Sequence, residues 1–215
     1  MSDPDSAIEN FAALLAQREI ALAQAVRDGR RMRAERGRLA VVDATLKLIN
    51  EGKIPTFAEV AEKAGISERT AFRYFPDRES LFAAVAVEVI QLIWPHVALE
   101  KPDGTVQQRV ALLVENRMAL AKKGGPFARV VDSSPKSTMT DSFQGARRSR
   151  LHEQLLSWLS PELDSLDKSA PYVIGELLTY TAIENLQKTY SDNEVAEILQ
   201  ATILHLLNAD PKTRS

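Results

Sequence analysis

The chain of 215 residues is 45% apolar and has no cysteine, so it can bury a sizeable core but holds no disulfide, thiolate metal site or cysteine nucleophile. Its net charge of −2 is not that of a protein that coats nucleic acid indiscriminately, and it has no run of about 18 apolar residues to span a membrane. The acidic, polar start MSDPDSAIEN lacks the basic and apolar regions of a secretory signal, which makes the cytoplasm the expected compartment.

The even balance hides an asymmetry. Residues 1–26 carry one basic and four acidic side chains, residues 27–78 carry 12 and 8, and residues 79–215 carry 14 and 17. A basic segment inside an acidic chain is the charge distribution of a modular DNA binder.

Apolar residues recur at spacings of three and four, and alternating β-branched runs are absent, so the chain reads as all-α. Residues 6–28 predict an Ala- and Leu-rich helix with Ile8, Leu15 and Leu22 seven apart, broken at Asp28-Gly29. A second helix is predicted from Arg31 to Glu51, stopped by Gly52. Thr56 and Glu59 form a capping box for a short helix that ends at Ala64-Gly65. Ser67 caps another, which runs into Phe75 and stops at Pro76. Asp77 caps a long apolar helix from Arg78 to about Trp94, closed by Pro95. Thr105 and Gln108 head the next, expected to end at Gly124-Gly125-Pro126, with a short segment at 127–132 leading into a polar loop. Helices are then predicted at 140–159, 171–190 and 192–208, the last boxed by Ser191 and Glu194.

Two short helices joined by Gly65-Ile66-Ser67 are the core of a helix-turn-helix. Gly65 leaves right-handed geometry at no steric cost. Ala61 is small enough for the second helix to cross close by, and Val60, Ile66, Ala71 and Phe75 fill the wedge. Such a unit lays its second helix in the major groove with its N-terminal residues nearest the base edges, which presents Ser67, Glu68, Arg69, Thr70 and Arg73. Arg69 and Arg73 are the expected base readers, because a guanidinium pairs bidentately with guanine. Just ahead lie six arginines in twelve residues, Arg27, Arg30, Arg31, Arg33, Arg36 and Arg38. The run is a candidate basic arm for phosphate or minor-groove contact, with Arg31, Arg33 and Arg36 the expected DNA-binding residues; the alternative is a solvated face paired with Asp28 and Glu35.

The stretch TFAEVAEKAGISERTAFRYFPDRESLF, from Thr56 to Phe82, resembles the tetracycline-repressor (TetR) family. The capping Thr, Ala-Gly-Ile-Ser at the turn, an aromatic-x-x-Phe ending and a charged cap before Leu-Phe carry the likeness, over about a quarter of the chain (31–82). The resemblance implies phosphate contacts from Thr56, Tyr74 and Arg78. Two departures matter. Where the family usually has a phosphate-binding Tyr this chain has Phe72, read as a packing residue. Where the family favours Lys it has Arg78, which keeps the charge at a helix N-terminus.

The resemblance also implies two roles for the C-terminal helices. Family members hold an inducer there, and Trp94, Met118, Phe127, Met139, Phe143, Trp158 and Tyr172 are candidates to line a largely apolar pocket, with core filling as the alternative for each. Family members also pair through two helices from each subunit. The segments 171–190 and 192–208 are apolar on more than one face. Ile174, Leu178, Thr181, Ile198, Thr202 and Leu206 are the expected homodimer residues; the alternative is that both helices are interior. His96, His152 and His205 are scattered, so no metal, cofactor or catalytic residue is expected.

The expected architecture is all-α: an N-terminal helical extension (1–30), a three-helix helix-turn-helix DNA-binding domain (31–78), and an effector-binding and dimerisation domain (79–215). The expected function is that of a dimeric transcription regulator on double-stranded operator DNA, a repressor by resemblance, released by a small molecule. Two rivals stand beside it. One is a dimeric interaction protein that has lost DNA binding, which the missing hydroxyl of Phe72 favours; the other is a helical enzyme, for which no catalytic constellation is visible.

Overall fold

A computed structural model describes residues 29–134 and 138–208, together with Ala16 and Ile20. The predicted N-terminal helix otherwise lies outside the described residues. The regular elements are α1 (Gly29–Asn50), α2 (Phe57–Ala64), α3 (Glu68–Tyr74), α4 (Arg78–Ile93), α5 (Val106–Asp132), α6 (Thr138–Leu159), α7 (Ala170–Leu177), α8 (Tyr180–Gln187) and α9 (Asp192–Leu207), with 3-10 turns at Trp94–Val97 and Glu162–Ser165. The all-α expectation holds. Among the described residues no helix is long and apolar enough to cross a membrane, and no cluster of His, Asp or Glu could hold a metal ion.

The chain divides into two compact units. The first comprises the described residues up to Gln91 together with Pro126–Ala146, and the second Leu92–Gly125 together with the described residues from Arg147 onward. α4, with Leu81, Phe82, Val85 and Val89 buried, falls in the first unit together with the helix-turn-helix.

In the first unit α1 packs on α2 and α3. Val41, Thr45, Leu48 and Ile49 of α1 are buried at helical spacing, as are Val60 and Ala61 of α2, Ala71 of α3, and Phe75 just beyond it. Buried Thr45 spends its hydroxyl on the Val41 carbonyl one turn back, at 2.8 Å, so it adds no unsatisfied donor to the core. Gly37 is where α1 meets α3. A Cβ at this position would lie 2.6 Å from Cζ of Tyr74 and in collision with its hydroxyl. The absence of a side chain is what lets the Tyr74 ring lie against the α1 backbone.

Two predicted helix ends are corrected. α5 runs through Gly124, Gly125 and Pro126 to Asp132 instead of stopping there. Proline removes one ladder hydrogen bond at a cost of roughly 3 kcal/mol, but Phe127, Ala128, Val130 and Val131 beyond it are all buried, and that burial offsets the loss. Phe127 stands edge-on to Phe143 with ring centroids 5.1 Å apart and near Phe82 at 6.3 Å. Conversely, the helix expected at 171–190 is two helices. Thr179 adopts an extended backbone, and its hydroxyl accepts from the Ala182 amide at 3.2 Å, so it starts α8 as an N-cap.

The second unit buries Val110, Leu113 and Val114 of α5, Leu155 and Leu159 of α6, Ile174, Leu178 and Ile183, and Val195, Leu199, Ile203 and Leu207 of α9 in one cluster. Two buried arginines bind the ends of this packing. Arg109 donates to the Trp158 carbonyl at 2.5 Å and to both carboxylate oxygens of Glu162, at 2.5 and 3.2 Å. The Arg109 side chain holds the Glu162 carboxyl below its ordinary value. Arg117, only 3% exposed, donates to Gln154 Oε1 at 2.5 Å and to the Leu151 carbonyl at 2.7 Å. Burial lowers its pKa to about 10, so it stays charged at neutral pH. Gln154 in turn donates to the carbonyls of His96 and Ala98 at 3.0 and 2.9 Å, so a satisfied polar chain fixes the 92–98 segment to α6.

Two outcomes follow for purified protein. An exposed helical Gly→Ala change ordinarily gains ~1 kcal/mol, whereas Gly37→Ala is expected to give no gain or a loss by denaturant unfolding, with the ordinary gain restored in a Tyr74→Ala background. Glu162 has a folded-state pKa below its ordinary, unfolded-state value. Its ion pair therefore adds stability that is complete above that value and disappears as the pH falls through the lower, folded-state one. The melting temperature of Glu162→Gln should lie below that of the parent at neutral pH, and the gap should close in acid.

Candidate nucleic-acid interface

The turn between α2 and α3 takes the form its residues dictate. Gly65 has φ 69° and ψ 32°, and its amide returns to the Ala61 and Glu62 carbonyls. Only glycine enters this left-handed region without strain. The Ile66 amide bonds the Ala61 carbonyl at 3.0 Å, completing the stop.

Both short helices are capped by their own side chains. Thr56 accepts from the Glu59 amide at 3.3 Å, while its amide and hydroxyl each donate to Glu59 Oε2 at 2.8 Å. These bonds hold the Glu59 carboxyl below its ordinary range, the backbone bond most. Ser67 accepts from the Thr70 amide at 3.2 Å, and the two hydroxyls are 2.9 Å apart. Asp77 accepts from the Ser80 amide at 2.7 Å, which lowers its carboxyl likewise.

α3 has one buried and one open side. Ala71 and Phe75 are buried, Thr70 and Tyr74 are half-buried, and Glu68, Arg69, Phe72 and Arg73 are exposed. At about 3.6 residues per turn these four follow one another around the open arc in the order Glu68, Phe72, Arg69, Arg73. Arg73 lies near the Tyr74 ring, 5.5 Å from its centroid, and Arg69 extends into solvent.

The structure sorts the other candidates. Ser67 and Thr70 engage each other as a cap, and Thr56 is engaged by Glu59. Tyr74 is half-buried, with the end of its ring against Gly37. Arg78 is exposed, with its guanidinium 4.8 Å from the Phe82 ring centroid. Arg33 and Arg36 are exposed on α1, and the Arg31 side chain lies outside the described residues. Arg38, the last arginine of the run, covers the buried Phe75 ring at 4.6 Å, so that side chain has a packing role.

Phe72 corrects a simpler expectation. Its ring stacks on Phe57 with centroids 4.2 Å apart and planes 7° from parallel, yet it remains 43% exposed. It packs on one side and faces solvent on the other. Phe57 was missed from sequence because no periodicity links residues fifteen apart on two helices. The signal was chemical: an aromatic without its hydroxyl on an outward face needs an apolar neighbour.

The proposed pocket residues fall in both units. Phe127 and Phe143 belong to the first unit, and Met118, Trp158 and Tyr172 to the second. Phe127, Phe143 and Trp158 are buried and Met118 packs on the second core. Tyr172 is 66% exposed and stacked on His152 at 5.0 Å. The side chains of Trp94 and Met139 lie outside the described residues. The expected dimer residues also divide. Ile174 and Leu178 are buried in the core of the second unit. Thr181 is exposed, while Ile198, Thr202 and Leu206 are half-buried.

Comparison with known proteins places this geometry. Residues 41–85 match the family model of bacterial regulatory proteins, tetR family. The chain is 30% identical over 104 residues to the HTH-type transcriptional repressor LfrR of Mycolicibacterium smegmatis, covering 47% of this chain and 52% of that protein. It is 34% identical over 85 residues to the HTH-type transcriptional regulator BetI of Burkholderia ambifaria, covering 39% and 40%. The matched segments thus span about half or less of these relatives. A crystal structure of a TetR transcriptional regulator from Rhodococcus sp. RHA1 superposes with a TM-score of 0.50 over 81% of this chain and 96% of that one, at 20% identity, a likeness of fold. Over residues 41–85, then, the chain is similar to the helix-turn-helix domain of the tetR family of bacterial regulatory proteins.

Proposed function

We propose that the chain is a DNA-binding transcription regulator whose α3 enters the major groove of an operator. The open arc of α3 carries the proposal: two exposed guanidiniums beside a carboxylate and an aromatic ring, on a helix fixed from behind by buried Ala71 and Phe75. Arg69 and Arg73 read base edges. Arg78, at the start of α4, grips phosphate, and the exposed Arg33 and Arg36 of α1 add to the charge that meets the backbone. The named functions of LfrR, a transcriptional repressor, and BetI, a transcriptional regulator, support this assignment and favour repression.

The same reading includes a homodimer and a small-molecule effector. Two α3 helices on a two-fold axis meet half-sites about one DNA turn apart, and an effector that prefers another spacing of the two releases them. To weaken operator binding tenfold it need distinguish the two states by only about 1.4 kcal/mol. Thr181, Ile198, Thr202 and Leu206 remain as partner-facing candidates; Ile174 and Leu178 drop out.

DNA selected from a random pool by the full chain should bind with an affinity that falls steeply with salt; no affinity even at low salt would overturn the proposal. Arg73→Ala should relax preference at one base-pair position by about 1–3 kcal/mol, while Arg78→Ala weakens all sequences alike and lowers the salt slope by about one.

A further inference from the structure

We infer that Phe72, backed by Phe57, reads the C5-methyl group of a thymine in each half-site. This rests on the proposal that α3 enters the major groove, and it names the chemistry that one position of the helix recognises there.

The argument starts from what the ring cannot do. Phe72 has no donor or acceptor, so it makes no hydrogen bond to phosphate or to a base edge. It nevertheless stays 43% exposed, on the same arc as Glu68, Arg69 and Arg73 and between the first two in rotation. A ring held there against base edges must bury against something apolar. Otherwise it strips water from a donor or acceptor and leaves that group unpaired, which weakens binding. The major-groove edge of a base pair offers donors, acceptors and one apolar group, the thymine methyl.

Phe57 makes the contact selective. The two rings lie flat on each other, 4.2 Å between centroids and 7° from parallel, so Phe72 has little freedom to swing away from a mismatched base. Phe57 itself stands at the start of α2, directly after the Thr56 cap that fixes that end of the helix. The platform is thus part of the frame that orients α3, and it holds its ring before DNA arrives. Its neighbours are charged: Glu68 can accept from cytosine N4 and Arg69 can pair with guanine. An apolar reader between them adds thymine to what the arc can distinguish.

The test uses full-length protein and the DNA it selects. Replacing each thymine of that site in turn by uracil removes only the methyl group. At one position per half-site, the parent protein should lose about fourfold in affinity, the amount expected for one buried methyl-sized group. The Phe72→Ala protein should bind thymine and uracil sites equally at that position, and Phe72→Leu should keep part of the discrimination. Thermal unfolding should show both variants folded at the binding temperature, with a modest loss in Phe72→Ala from the missing stack on Phe57. Uracil tolerated at every position, or a uracil penalty that persists in Phe72→Ala, would overturn the inference while leaving the regulator proposal intact. A parent protein that selects no DNA would overturn both.

Discussion

A seven-residue helix cannot hold itself in place. α3 is too short to be stable alone, so its direction depends on the wedge it forms with α2. That wedge has three requirements: a left-handed residue at the turn, a small residue where the helices cross, and apolar side chains to fill the gap. Gly65, Ala61, and Val60 with Ala71 and Phe75 meet them. Everything the open arc of α3 presents is aimed by this closed interior. Gly37 extends the same logic to α1, since the Tyr74 ring can lie against that helix only where no side chain intervenes.

The charges around the wedge divide into those that build it and those left exposed. Arg38 covers Phe75 and Arg78 lies over Phe82, each using the flat guanidinium as a partly apolar surface. Glu59 and Asp77 are held ionised in caps. Their negative charge is spent on backbone amides at the heads of α2 and α4. What remains unspent near α3 is mostly cationic, together with Glu68 and the open side of Phe72. An acidic chain can therefore present a basic reading edge without a large net positive charge.

Local chemistry was legible in the sequence, and long-range packing was not. Thr56 with Glu59, Ser67, Gly65, and Ser191 with Glu194 are caps and stops written within four residues, and each lies where expected. Pro126 was misread as a terminus because the burial of Phe127 and Val131 that carries α5 past it comes from elsewhere in the chain. Thr179 was missed because its cap lacks the acidic partner of a box. In the site, Arg69 and Arg73 were legible from helical phase alone. The Phe57–Phe72 stack and the Gly37–Tyr74 contact join residues far apart in the chain, which periodicity cannot pair. The apolar faces of the last helices were visible, but Ile174 and Leu178 show that an apolar stripe does not say whose core it fills.

Hydroxyl-radical footprinting of the full-length protein, with and without its selected DNA and read by mass spectrometry, tests the central claim most directly. Radicals oxidise accessible aromatic rings, and this chain offers exposed rings in both units: Phe72 on α3, and Tyr172 and Tyr190 in the second. If α3 is the reading helix, DNA shields Phe72 and leaves Tyr172 and Tyr190 oxidised as before. Shielding of Tyr172 or Tyr190 with Phe72 unchanged would contradict the account.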